Sequence, residues 1–251
     1  MRRALRVLLA VVAVLALLVV GFLAWAHSVM QGERPAALEA WRDEAVAITS
    51  HEVGIVIEPV EGGTGEGLVF IPGARVDPYA YLYKLSGMAE ASGLTVVITK
   101  PTLNLAFFDQ RPLSTFTALA PGVDEWYVGG HSLGGVRACQ LAAPGASEPQ
   151  PVGLMLFGSY CANDLAGSGL AALSLSGEHD GLSTPDKIAE AAGLLPDRTE
   201  FVELEGANHA DFGDYGVQPG DGVSTRDDAE LRDEIAELVA EFLAGASAAR
   251  P

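Results

Sequence analysis

Seven residues constrain this chain more than any others. Gly129-Gly130-His131-Ser132-Leu133-Gly134-Gly135 stands where a strand-like stretch, Trp126-Tyr127-Val128, gives way to a helix-like one, Val136 to Ala142. This is G-x-S-x-G between a strand and a helix. A serine at the tip of so sharp a turn needs small residues two before and two after it, because a Cβ there would collide with neighbouring backbone. Gly130 and Gly134 supply them. A glycine-rich turn with a capping serine is the plainer alternative, but the flanking elements favour Ser132 as a candidate nucleophile.

The N-terminus is of a different kind. Arg2, Arg3 and Arg6 precede an unbroken apolar run from Val7 to Ala26, 20 residues long and able to cross a bilayer core as a helix. A cleaved signal peptide would use Ala24-Trp25-Ala26 as its small-x-small site, but its apolar region is normally about 7 to 15 residues. The run therefore reads as an anchor. With all three arginines before the span, the N-terminus is expected in the cytoplasm and the rest of the chain outside it. The formal net charge is −18, and the exported part is more negative still without those arginines. Such a surface repels nucleic acid and anionic membranes, so a nucleic-acid partner is not expected.

Residues 1–6 thus read as a basic tail, 7–26 as the anchor, 27–49 as a stalk or leading helix and 50–247 as one α/β domain. Strand signals at 53–57, 67–71, 94–99, 126–129, 152–157, 171–175 and 200–204 alternate with helical ones, which favours a mostly parallel sheet covered on both faces. A helix is expected from Tyr79 to Ala91, capped by Asp77 and stopped at Gly93. The last helix is expected to open on Thr225 and Asp228 in capping-box spacing and to carry the stripe Leu231, Ile235, Leu238, Val239 and Phe242. Only ten residues, Cys161 to Leu170, separate Tyr160 from the next strand, too few for an elaborated cap. Cys139 and Cys161 are a candidate disulfide in an oxidising compartment, with two small buried thiols as the alternative.

A serine hydroxyl needs a base, and the base needs an orienting acid. Of five histidines, His27 flanks the span, His51 precedes a strand, His131 lies inside the turn with its ring expected to point away from Ser132, and His179 adjoins a carboxylate. His209, in Glu205-Gly206-Ala207-Asn208-His209, follows the last strand and is the candidate base. Gly177-Glu178-His179-Asp180-Gly181 follows the preceding strand. Asp180 is favoured as the acid because it occupies the turn tip, although Glu178 could also reach. Asp211, Asp214 and Asp221 lack the spacing of a calcium loop and read as an acidic, solvated loop, so no metal or cofactor is expected.

In the order Ser132, Asp180, His209 the chain resembles the α/β-hydrolase superfamily, and its small lidless branch similar to dienelactone-hydrolase-like enzymes. The resemblance runs over about residues 50 to 245 on Gly130-His131-Ser132-Leu133-Gly134, Gly177-x-x-Asp180 and Gly206-x-Asn208-His209. Dienelactone hydrolases proper carry cysteine as nucleophile, so their substrate does not transfer. The resemblance implies an oxyanion hole formed by the amide of Leu133 and one from Pro72-Gly73-Ala74-Arg75, with Ala74 or Arg75 as donor. It implies acyl transfer on a small-molecule ester through an acyl-enzyme. A peptidase or acyltransferase would use the same groups, and a surface binding module could keep the fold without the chemistry.

Overall fold

A computed structural model describes residues 2–248 of the chain. Eight strands form one sheet in the order β1-β2-β4-β3-β5-β6-β7-β8. They are β1 (Val46–Ser50), β2 (Gly54–Pro59), β3 (Glu66–Ile71), β4 (Thr95–Thr99), β5 (Glu125–His131), β6 (Gly153–Phe157), β7 (Ala171–Gly177) and β8 (Arg198–Leu204). β1 pairs antiparallel with β2, and β2 with β4; from β4 across to β8 every pair is parallel.

Side chains on the parallel strands alternate between two cores, as helices on both faces require. Leu68 and Phe70 of β3 join Leu82, Leu85 and Met88 of α3 (Leu82–Ser92) and Ile235, Val239 and Phe242 of α7 (Asp228–Ala248). Val69 and Ile71 point the other way, onto Ala138, Cys139 and Leu141 of α5 (Leu133–Ala142). Both groups are apolar and almost wholly buried, so each face of the sheet has its own core. Three further helices are α2 (Arg34–Arg42), α4 (Ser114–Thr117) and α6 (Pro185–Ala191).

Of the two readings of 27–49, the leading helix is the one that forms: α2 buries Ala40, and the segment also contains the edge strand β1, registered from Val46 on Pro59 to Ser50 on Ile55, so the sheet takes in residues before 50. The last helix starts at Asp228 without the Thr225 capping box. The Asp227 carboxylate accepts the Ala229 and Glu230 amides at 3.0 and 3.1 Å, while the Thr225 amide is used by the Gly206 carbonyl. The helix after Asp77 begins as a 3-10 turn, Pro78–Tyr81, then continues as α3 and stops on Gly93 at φ 72°.

The apolar run forms α1 (Arg2–Ala26), long and apolar enough to cross a membrane and exposed along its length except at Ala26. Its end meets the domain. The Asn104 amide donates to the Ala26 carbonyl at 3.1 Å, and Phe22 lies 5.7 Å from Phe108, centroid to centroid. Met30 runs parallel to Val76, its amide donating to the Arg75 carbonyl and its carbonyl accepting the Asp77 amide.

Candidate active site

β3 lies between β4 and β5, so the connections leaving β3 and β5 diverge on either side of one crevice. In open α/β sheets, ligands bind at such a switch point, outside the carboxyl ends of the strands. Ser132 stands there, half-buried between β5 and α5, with φ 52° and ψ −124°. A non-glycine residue at positive φ carries strain of about 1 to 3 kcal/mol, so its surroundings must enforce it. The Ser132 amide donates to the Phe157 carbonyl at 3.1 Å, and Ser159 Oγ donates to the Ser132 carbonyl at 2.7 Å. The glycines permit the close approach. A Cβ on Gly134 would lie 2.0 Å from the Ile71 carbonyl oxygen, and one on Gly130 would lie 2.5 Å from the same atom.

The loops after β7 and β8 bring Asp180 and His209 together. Asp180 Oδ2 lies 2.7 Å from His209 Nδ1, with both side chains sealed from solvent. Asp180 Oδ1 accepts the Leu182 and Ser183 amides at 2.8 and 2.7 Å, which fixes the carboxylate in its turn and aims Oδ2 at the ring. Glu178 goes elsewhere, accepting the Gly206 amide at 2.8 Å and so bracing the loop that carries His209. A carboxylate on Nδ1 selects the tautomer with its proton there and leaves Nε2 as the acceptor. His209 Nε2 is buried and without a hydrogen-bond partner. No hydrogen bond joins it to Ser132 among the described residues; such bonds are often long without substrate and tighten in the reacting complex.

His131 points away from solvent into a polar thread. Tyr81 Oη accepts the Gly73 amide at 2.9 Å, so its own proton is directed to His131 Nδ1, also at 2.9 Å. Burial, together with the neighbouring His209, holds the His131 pKa well below the usual histidine range, keeping the ring neutral. Burial pushes the Tyr81 phenol far up, so it remains a donor. The His131 and His209 rings lie 4.4 Å apart, so this thread links the turn after β3 to the candidate base.

The turn Pro72-Gly73-Ala74-Arg75 has two of its three amides in use. The Gly73 amide is committed to Tyr81, and the Arg75 amide to the Asn104 carbonyl at 2.8 Å. Among the described residues the amides of Ala74 and Leu133 have no acceptor. The Arg75 guanidinium donates to the Ser28 carbonyl and stacks 4.7 Å over Trp25. Asp77 caps the turn that follows, accepting the Tyr79 amide at 3.0 Å as expected.

The acidic loop is more structured than a solvated one. Asp221 Oδ1 accepts the His209 and Gly181 amides, both at 3.1 Å, and Oδ2 accepts that of Ala210 at 2.9 Å, tying the two site loops together. Asp211 and Asn208 cap each other's amides. Asp214 pairs at 2.8 Å with Lys84, which is itself buried and also bound by Asp228. Behind the serine, a disulfide joins Cys139 of α5 to Cys161 beyond β6, with Cα atoms 5.5 Å apart. Between β6 and β7 there is only one 3-10 turn, Ala166–Ser168, and no cap.

The sequence matches the model of the alpha/beta hydrolase family over residues 67–233. No curated protein matches it significantly. Among solved structures, a Thermus thermophilus protein is 17% identical, the match covering 82% of this chain and 99% of that one at a TM-score of 0.57. A hyperthermophilic esterase from the archaeon Pyrobaculum calidifontis is 15% identical, with 89% and 92% covered and a TM-score of 0.57. The esterase domain of a Rhodothermus marinus protein is 13% identical, with 78% and 97% covered and a TM-score of 0.56. At these identities the likeness is one of fold.

Proposed function

The chain belongs to the alpha/beta hydrolase family, and we propose that it is a membrane-anchored, extracytoplasmic serine hydrolase that cleaves carboxylic esters through Ser132, His209 and Asp180. The observation that carries this reading is the buried 2.7 Å contact between Asp180 and His209, made by loops that end at the same sheet edge as Ser132. Two of the three solved structures above are esterases, which favours an ester over an amide as substrate.

In the first step His209 Nε2 takes the Ser132 proton as Oγ attacks the ester carbonyl, and Asp180 stabilises the imidazolium. The amides of Leu133 and Ala74, which have no acceptor among the described residues, are the donors we assign to the developing oxyanion. Each such donor is worth about 10² to 10³ in turnover. The imidazolium then protonates the leaving alkoxide, and the alcohol departs. In the second step the same nitrogen takes a proton from water, which attacks the acyl-enzyme, and Ser132 recovers its proton as the acid is released. Neutral His131 adds no competing positive charge beside the imidazolium.

The anchor is part of this reading. Arg2, Arg3 and Arg6 lie before the span, which orients the domain outside the cytoplasm. Ala26, at the end of the alternative cleavage site, is buried and accepts a hydrogen bond from Asn104, so the domain has a use for the uncleaved end. Fluorophosphonate labelling of the full chain tests the chemistry. Label is expected on Ser132 and absent from Ser132→Ala, with the membrane fraction holding the activity. Continued labelling of Ser132→Ala would overturn the assignment.

A further inference from the structure

The apolar run from Val7 to Ala26 rises about 1.5 Å per residue, so as a helix it matches the roughly 30 Å core of a bilayer, and its last two turns emerge at the outer headgroup level. Phe22 and Trp25 lie in those turns, where aromatic residues are favoured at a membrane surface. Both touch the domain through loops at one sheet edge. Trp25 lies under Arg75, after β3, and Phe22 against Phe108, after β4. β3 and β4 are parallel to β5, β7 and β8, so the ends carrying these contacts are the ends that carry Ser132, Asp180 and His209.

Next to the span, Phe107 and Phe108 are 43% and 51% exposed, two adjacent aromatic side chains directed at no core of their own. In water they are a liability. At the level of Phe22 they would enter the headgroup region, as Trp25 does. The absence of a cap between β6 and β7 agrees with this placement: a long acyl chain needs a protein pocket only if it must leave the lipid.

We infer that the mouth of the site faces the outer surface of the bilayer that holds α1, and that the substrate is an amphiphilic ester resident in that surface. The ester group reaches Ser132 at the headgroup level while the acyl chain stays in the hydrocarbon. This rests on the anchored-esterase reading, and the test separates the two. The full-length protein is reconstituted in phosphatidylcholine vesicles containing a small share of phosphatidylcholine with a diazirine on the acyl chain near the glycerol. Photolysis and peptide mapping should find label within residues 105–111 as well as on α1. Label confined to α1 would overturn the membrane placement.

The kinetic arm uses Phe107→Ser with Phe108→Ser, two residues outside the catalytic machinery. Hydrolysis of p-nitrophenyl palmitate dissolved in the vesicles should fall about tenfold in kcat/KM, the scale of losing one well-buried aromatic contact, while p-nitrophenyl acetate in water is hydrolysed as before. An equal loss on both esters, or on neither, would overturn the substrate assignment. A parent protein that labels at 105–111 but cleaves neither ester would overturn the esterase reading and the substrate class with it, leaving the membrane placement standing.

Discussion

Gly134 is the residue whose substitution most directly tests the proposed oxyanion hole, because it is where α5 meets the turn after β3. An alanine Cβ would lie 2.0 Å from the Ile71 carbonyl oxygen and 2.5 Å from that of Pro72, whereas contacts under 3.0 Å are essentially never seen. The obstacle is backbone on both sides, so helix and turn must part by about 1 Å, a misplacement able to cost about 10²-fold in rate. Leu133 and Ala74 stand on opposite sides of this contact, and parting them splays the two amides. Gly134→Ala should therefore lower kcat on p-nitrophenyl acetate by about 10² with little change in KM, since the donors act on charge that develops in the transition state. Overpacking should also cost about 1 to 3 kcal/mol, a fall of several degrees in Tm. Gly167→Ala is the control, because nothing lies within 4 Å of its Cβ position. A Gly134→Ala protein that melts in a single transition and turns over within about twofold of the parent would refute the reasoning, since 10² in rate requires the donors to move.

Asp180→Asn should reduce turnover by up to about 10⁴-fold, because an amide no longer selects the imidazole tautomer, while Glu178→Gln, which only braces Gly206, should cost far less; steady-state kinetics that rank them the other way would move the acid to Glu178. The Cys139–Cys161 bridge closes a loop with a sequence separation of 22, for which chain entropy gives about 3 kcal/mol, so Cys139→Ala with Cys161→Ala should show that loss in denaturant titrations. Burial pushes the Asp214 carboxyl up from 3.8 to about 6 against the pull of Lys84, which Asp228 also shares. The stability contributed by protonated Asp214 is thus full below 3.8 and lost as the pH rises through about 6. Against the parent, Asp214→Asn should be relatively more stable above that window than below it, and a pH-independent difference in unfolding free energy would count against the buried carboxyl.

What the sequence made legible was local. The turn around Ser132 could be read because its glycines, its strand and its helix are contiguous, and the loops of Asp180 and His209 because each directly follows a strand signal. The signals for β2 to β7 lie within a few residues of the observed strands because these strands are buried for most of their length; β8, exposed along most of its length, is not read on that ground. β1 gave no such signal. It is an edge strand with one buried residue in five, and only its register on β2 makes it a strand. Tyr81 and Asp221 were missed for a different reason. Tyr81 looks like any core aromatic of a helix, and its role depends on His131, 50 residues away. The Asp221 carboxylate is occupied by amides from two separate loops, a tertiary fact with no sequence motif behind it.

Asp221 has a consequence for how this surface can be remodelled. By holding the amides of Gly181, His209 and Ala210 on one carboxylate, it clamps the loops that carry Asp180 and His209 into a unit. Upstream, Asp214 is pinned to α3 through Lys84. Between these two fixed points Val217 is almost fully solvent-exposed. Gln218 already belongs to the clamp, accepting the Tyr215 hydroxyl and the Asp221 amide, so the bond between Gly216 and Val217 is the natural splice point: chain could be inserted there, by drift or by design, to build a selectivity lid while the registry of His209 with Asp180 is kept.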